Sequence, residues 1–205
     1  MKNLMKPISV MLSGLLLLTS LTACAKTPTP EEIYEMVEDA DSAKVTVKMD
    51  LGEIMSAKIT MEMEGDKAHI VTKTEAMGME TEEETYQQKK GDKLITYTKD
   101  GDKWTTEETD DEEDEAGLEE FKELFDMDNY EEFDKESRRY VMKDDVDLDI
   151  DDMACSDGYI EVGEDGTYII YVELKQEVMG TTLKGSMKIT ISDIGKVSVK
   201  LPKAD

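Results

Sequence analysis

The sequence predicts a mainly β chain of the α+β kind: a strongly curved antiparallel sheet, a half-barrel, with two short helices over its concave face. Three observations predict it. Apolar and polar residues alternate with period two over most of the chain. Short glycine-containing turns separate the alternating runs, at Gly65-Asp66, Gly91-Asp92, Asp100-Gly101 and Asp165-Gly166, and such turns join neighbouring strands as hairpins. Only two stretches carry helical spacing instead. Alternation leaves one sheet face dry and the other wet, and a long twisted sheet tends to curl. The two helices are then the available cover for the dry face.

In chain order, Thr29-Pro30-Glu31-Glu32 starts a helix, with Thr as N-cap, Pro at the first helical position and Glu in the capping-box position. Ile33, Met36, Val37 and Ala40 follow at helical spacing. Val45, Val47, Met49 and Leu51 then share one strand face, and Lys44, Thr46, Lys48 and Asp50 the other. Ile59, Met61 and Met63 repeat the pattern, with Thr60, Glu62 and Glu64 outward. Further strands are expected over residues 68–74, 81–88, 94–99 and 104–107. Glu107 to Glu115 is an acidic break. Leu118, Phe121, Leu124 and Phe125 predict the second amphipathic helix. A hairpin across Asp134-Lys135-Glu136-Ser137 and strands over 159–162, 167–175, 182–191 and 197–201 complete the expectation of nine to eleven strands.

Composition bounds what such a fold can do. The chain has 205 residues, which suits one ordinary domain, and 50 acidic against 24 basic residues give a formal charge of −26. A nucleic-acid partner needs a basic face, and the only Arg residues are the adjacent Arg138 and Arg139, so none is expected. With 39% hydrophobic residues the chain is not a disordered acidic tail. A monomer is expected.

The N-terminus carries the most specific signal. Lys2 and Lys6 precede an apolar run from Ile8 to Leu21, a positive start and a short apolar core of the kind that directs secretion. The run falls short of the roughly 20 apolar residues of a spanning helix. Leu21-Thr22-Ala23-Cys24 follows, and it resembles the lipobox of bacterial lipoproteins. That resemblance implies a signal peptide over 1–23, diacylglyceryl attachment to the Cys24 thiol, a short linker over 24–29 and a single domain over 30–205. The chain would then be anchored to the outer face of the cell membrane, outside the cytoplasm. Two acyl chains suffice for stable anchoring, and the five residues after Cys24 reach roughly 20 Å when extended. Cys155 remains as the sole other Cys and reads as a small buried apolar residue rather than a nucleophile.

The order of parts is similar to a known group. A lipobox, a short linker, a Pro30–Val37 helix, two strand meanders around a mid-chain helix, and an ending Ile191-Ser192-Asp193-Ile194-Gly195 before Val197 to Pro202 resemble the LolA/LolB-like lipoproteins, which include the LppX/LprG group. The likeness is greatest to a lipoprotein domain of unknown function in Gram-positive bacteria. It implies a curved sheet whose concave apolar face holds acyl chains in some members. Beyond Cys24 it carries over no motif residues.

Candidate chemistry is sparse. Among 15 Met residues, Met49, Met61 and Met63 fall on the inward strand face. A flexible, polarizable lining suits varied apolar ligands, and it suits a plain core equally well. With Val47, Ile59, Phe121 and Phe125 they form the candidate ligand face, for a lipid or another apolar molecule. Met61-Glu62-Met63 and Met77-Gly78-Met79 also admit soft copper ligation, but no Cys accompanies them and His69 is the only His. Asp145, Asp147, Asp149 and Asp151 alternate along one strand face; an EF-hand is excluded because Ile150 stands where that loop needs Gly, and a solvated face is the simpler reading. With one His there is no obvious Ser-His-Asp set and no zinc cluster. No enzyme, metal or cofactor is therefore expected. The alternative to ligand binding is a non-catalytic surface interaction or sensing module with a packed core.

Overall fold

A computed structural model describes residues 27–203 except Glu53, Asp102, 111–117, Asp145, Asp147, 151–152 and 179–180. Helix α1 (Pro30–Glu38) begins as its sequence dictates. Thr29 Oγ1 accepts the Glu32 backbone N–H at 3.3 Å, and Glu32 Oε2 accepts the Thr29 N–H at 2.8 Å, so the capping box satisfies two otherwise orphaned donors. Its buried face is Ile33, Tyr34 and Val37, whereas Met36 is exposed. Tyr34 replaces the expected Met36 because its ring reaches Phe125, with centroids 5.5 Å apart.

Eleven strands follow: β1 (Ser42–Asp50), β2 (Met55–Glu64), β3 (Lys67–Ala76), β4 (Met79–Lys90), β5 (Lys93–Asp100), β6 (Lys103–Asp110), β7 (Arg139–Val141), β8 (Leu148–Ile150), β9 (Met153–Val162), β10 (Tyr168–Val178) and β11 (Thr181–Ser192). They form one antiparallel sheet in the order β6-β5-β4-β3-β2-β1-β11-β10-β9-β7, with β8 paired to β9. The sheet is curved and open, with β6 at one edge and β7 and β8, both paired to β9, at the other. The pairing of β1 with β11 joins the N-terminal meander to the C-terminal one.

Three expectations are corrected. The second helix is not α-helical: Leu118–Phe125 is a 3-10 segment, followed by a short one at Met127–Asn129. The residues at 118, 121 and 124 recur every three positions, which matches three residues per 3-10 turn better than 3.6. The hairpin around residues 134–137 reduces to the bridges Tyr130↔Met142 and Asp134↔Arg139 beside β7. Residues 197–201 form no strand, because both edges of β1 are already paired. Val197 N–H instead donates to Ser42 Oγ and Val199 N–H to Glu64 Oε2.

Burial is distributed unevenly along the sheet. The inner face, against α1 and the 3-10 segment, contains the row Val162–Tyr168–Ile191–Val45–Met61–Ile70–Thr85–Thr98–Thr105. Its first four members are buried, the next three half-buried and the last two exposed. A parallel row, Ile160–Ile170–Ile189–Val47–Ile59–Thr72–Glu83, goes from 0% exposure at Ile189 to 36% at Ile59. The core therefore sits under β9, β10, β11 and β1, and β3 to β6 extend past it. Among the described residues no helix is long and apolar enough to cross a membrane.

Candidate functional site

The expected ligand residues divide between two environments. Register places Val47 beside Ile59, Met61 beside Val45, Met63 beside Ala43 and Met49 beside Ala57, all on the inner face. Val47, Met49, Met63 and Phe121 are partly buried and pack on the core. Ile59 and Met61 lie beyond it, with Ile70 continuing the strip from β3. Phe125 belongs to the other environment. It is 2% exposed, beside the fully buried Leu124 and against Tyr34, so its surface is already used by the fold.

An apolar strip of Val47, Ile59, Met61 and Ile70, exposed at Ile59 and half-buried elsewhere, thus borders a sealed core. Strand alternation put these side chains inward, but the buried core does not extend over Ile59, Met61 and Ile70. Fully burying an exposed side chain of this kind is worth about 1.5–3 kcal/mol, and less where it is already half-buried, so the strip offers a modestly favourable surface for an apolar molecule.

The outer face carries a polar-aromatic cluster that sequence reasoning missed. His69 Nε2 lies 3.0 Å from Glu84 Oε1, and Nδ1 lies 3.4 Å from Glu62 Oε2. The imidazole stacks on Tyr86 at 4.3 Å, and Tyr86 meets the Trp104 edge at 5.2 Å. Lys44 Nζ donates to Glu62 Oε1 at 2.8 Å. That bond, with a smaller one from His69, holds the Glu62 carboxyl below its ordinary range. Burial, with the neighbouring Glu84 charge, pushes the Tyr86 hydroxyl upward. His69 pairs directly across from both Glu62 and Tyr86, so the cluster staples β2, β3 and β4 where no second layer covers them.

The remaining sites are structural. Cys155 is fully buried. The Tyr130 hydroxyl, buried and donating to the Leu124 carbonyl at 2.6 Å, titrates far above the usual phenol range because of its burial. Met77 and Met79 are exposed at the β3–β4 turn, whereas Met142, Met153 and Met187 are core. No group of three His, Cys, Asp or Glu side chains arranged to hold a metal occurs among the described residues. Cys24 and most of the aspartate alternation from Asp145 to Asp151 lie outside the described residues. No protein-family model matches the chain, and no curated protein matches it in sequence.

Proposed function

We propose that the chain is a membrane-anchored extracytoplasmic lipoprotein, tethered through Cys24, whose domain binds an apolar ligand such as a lipid acyl chain on the inner sheet face. The apolar strip of Val47, Ile59, Met61 and Ile70 carries this reading, because the same two rows are buried on β10 and β11 and only half-buried or exposed on β2 and β3. Met49, Met61 and Met63 add a lining that adapts to chain shape. The proposed role is non-catalytic. The lipobox-like Leu21 to Cys24 and the brief linker before Pro30 supply the tether.

Native mass spectrometry of the domain from Ala25 onward tests the ligand. Co-purifying lipid that is lost in Ile59→Asp/Met61→Asp supports binding on the strip, and ligand-free wild type that takes up no added fatty acid contradicts it. Fractionation tests the anchor separately: Cys24→Ala should leave the membrane fraction, and unchanged retention contradicts lipidation. A second reading, an interaction module without a ligand, draws on the burial of Leu124 and Phe125, whose apolar surface within the 3-10 segment is already taken up by the core.

A further inference from the structure

On the outer face, register aligns Tyr171, Lys188, Lys48, Lys58, Lys73 and Glu82 in one row across β10, β11, β1, β2, β3 and β4. Four consecutive members are lysines, in a chain with twice as many acids as bases. Like charges directly opposite each other on neighbouring strands repel, so the row costs the fold stability. Within the row Lys73 offsets this cost by pairing with Glu82, and nearby Lys44 pairs with Glu62 and Lys67 with Glu64. Lys48, Lys58 and Lys188 make no ion pair among the described residues. Their flanking positions on one side are the hydroxyls of Thr46, Thr60 and Thr190, which can donate further hydrogen bonds.

We propose that this row is a binding site for a linear, phosphate-bearing polyanion laid across the strands. Neighbouring strands are about 4.8 Å apart, so such a chain meets the ammonium groups of Lys188, Lys48 and Lys58 on three successive strands. A single file of charge fits one chain of phosphates, not the two strands of a duplex. Lys48, Lys58 and Lys73 also border a shallow depression of about 320 Å³, whose other edge carries Asp50, Glu75 and Glu80. Asp50 accepts the Gly52 N–H at 2.8 Å, and Glu80 and Glu82 both act on Lys73, so the acids engage that end of the row and leave Lys48, Lys58 and Lys188 without an ion pair among the described residues. The net charge of −26 opposes approach from afar, but physiological salt screens charges beyond about 8 Å, so contact is governed by the lysines of the row together with the acids that border it. This site is independent of the apolar strip on the opposite face.

Titration of the domain with long-chain inorganic polyphosphate tests the proposal. Wild type should bind, and Lys48→Gln/Lys58→Gln/Lys188→Gln should bind about tenfold more weakly, with a salt dependence shallower by about two logarithmic units per decade. That variant should melt no lower than wild type, because it removes repulsion. A control of equal charge change, Lys103→Gln/Lys135→Gln/Lys200→Gln, should bind like wild type. Equal weakening in both variants, or no polyphosphate binding by wild type, overturns the proposal. Binding to phosphatidylglycerol vesicles through the row with none to polyphosphate also overturns it, in favour of a membrane surface.

Discussion

The two ends of the sheet use the same strand chemistry to opposite effect. Under α1, the inner-face residues of β9, β10 and β11 are buried almost completely: Ile160, Val172 and Ile189 are each at 0% exposure. In β4, β5 and β6 the corresponding positions are Thr85, Thr98 and Thr105, half-buried or exposed. The bulky side chains Tyr86 and Trp104 there lie on the outer face instead. The covered half is held by burial beneath a second layer. The arm from β3 to β6 is held by its hydrogen-bond ladder and by cross-strand pairs, which are worth only about 0.2–1 kcal/mol each. Alternation alone therefore specifies which way a side chain points, not whether anything meets it there. The apolar strip of β1 and β2 lies where the two regimes join.

Mutations at matched positions break the comparison most strongly. Ile189→Ala should lower unfolding stability by about 2–5 kcal/mol through cavity formation, measured by urea denaturation. Ile59→Ala, two strands away in the same row, should cost less than about 1 kcal/mol; equal losses would mean that β2 is as well covered as β11. Gly185→Ala sharpens the boundary between the halves. The new methyl group would collide with the Asp50 carbonyl and with Leu51, and forced overpacking costs about 1–3 kcal/mol. It should weaken the β1–β11 junction, seen as faster amide exchange at Val47 and Met49.

Much of this division was legible in the sequence, and some was not. Period-two alternation and glycine turns located ten of the strands, and Thr29 to Glu32 located α1, because these signals act within a few residues. The lysine row was partly legible: Lys58 and Lys73 are equidistant from the turn at Gly65-Asp66. Its closure by Lys188 depended on the long-range β1–β11 pairing, which no local signal encodes. Burial of Phe125 and exposure of Ile59 were likewise unreadable, since both are apolar residues on an inward face. They differ only in which of them the nine-residue α1 and its neighbours reach. The final segment from Val197 has strand-like alternation but finds every edge of β1 occupied.

Smaller effects belong to the arm. Tyr86→Ala removes contacts with both His69 and Trp104 and should cost about 0.5–1.5 kcal/mol, appearing as local exchange in β4 and β6 with little change in global melting. The Glu62–Lys44 pair should give the least. Because the folded carboxyl titrates below its unfolded value, its stabilisation is complete above the ordinary carboxylate range and fades as pH falls through the depressed folded value. Lys44→Gln should raise the Glu62 titration midpoint, measured by carboxyl carbon NMR, with solvent keeping the stability change small.

Native-state hydrogen exchange, residue by residue, tests most directly whether the core is confined to half of the sheet. The amides of Val172, Ile189 and Ile191 should exchange only through global unfolding, while those of Tyr97, Thr98 and Thr105 should exchange through local opening at several kcal/mol lower cost. Uniform protection from β4 through β10 would contradict the division and require a second layer over the arm.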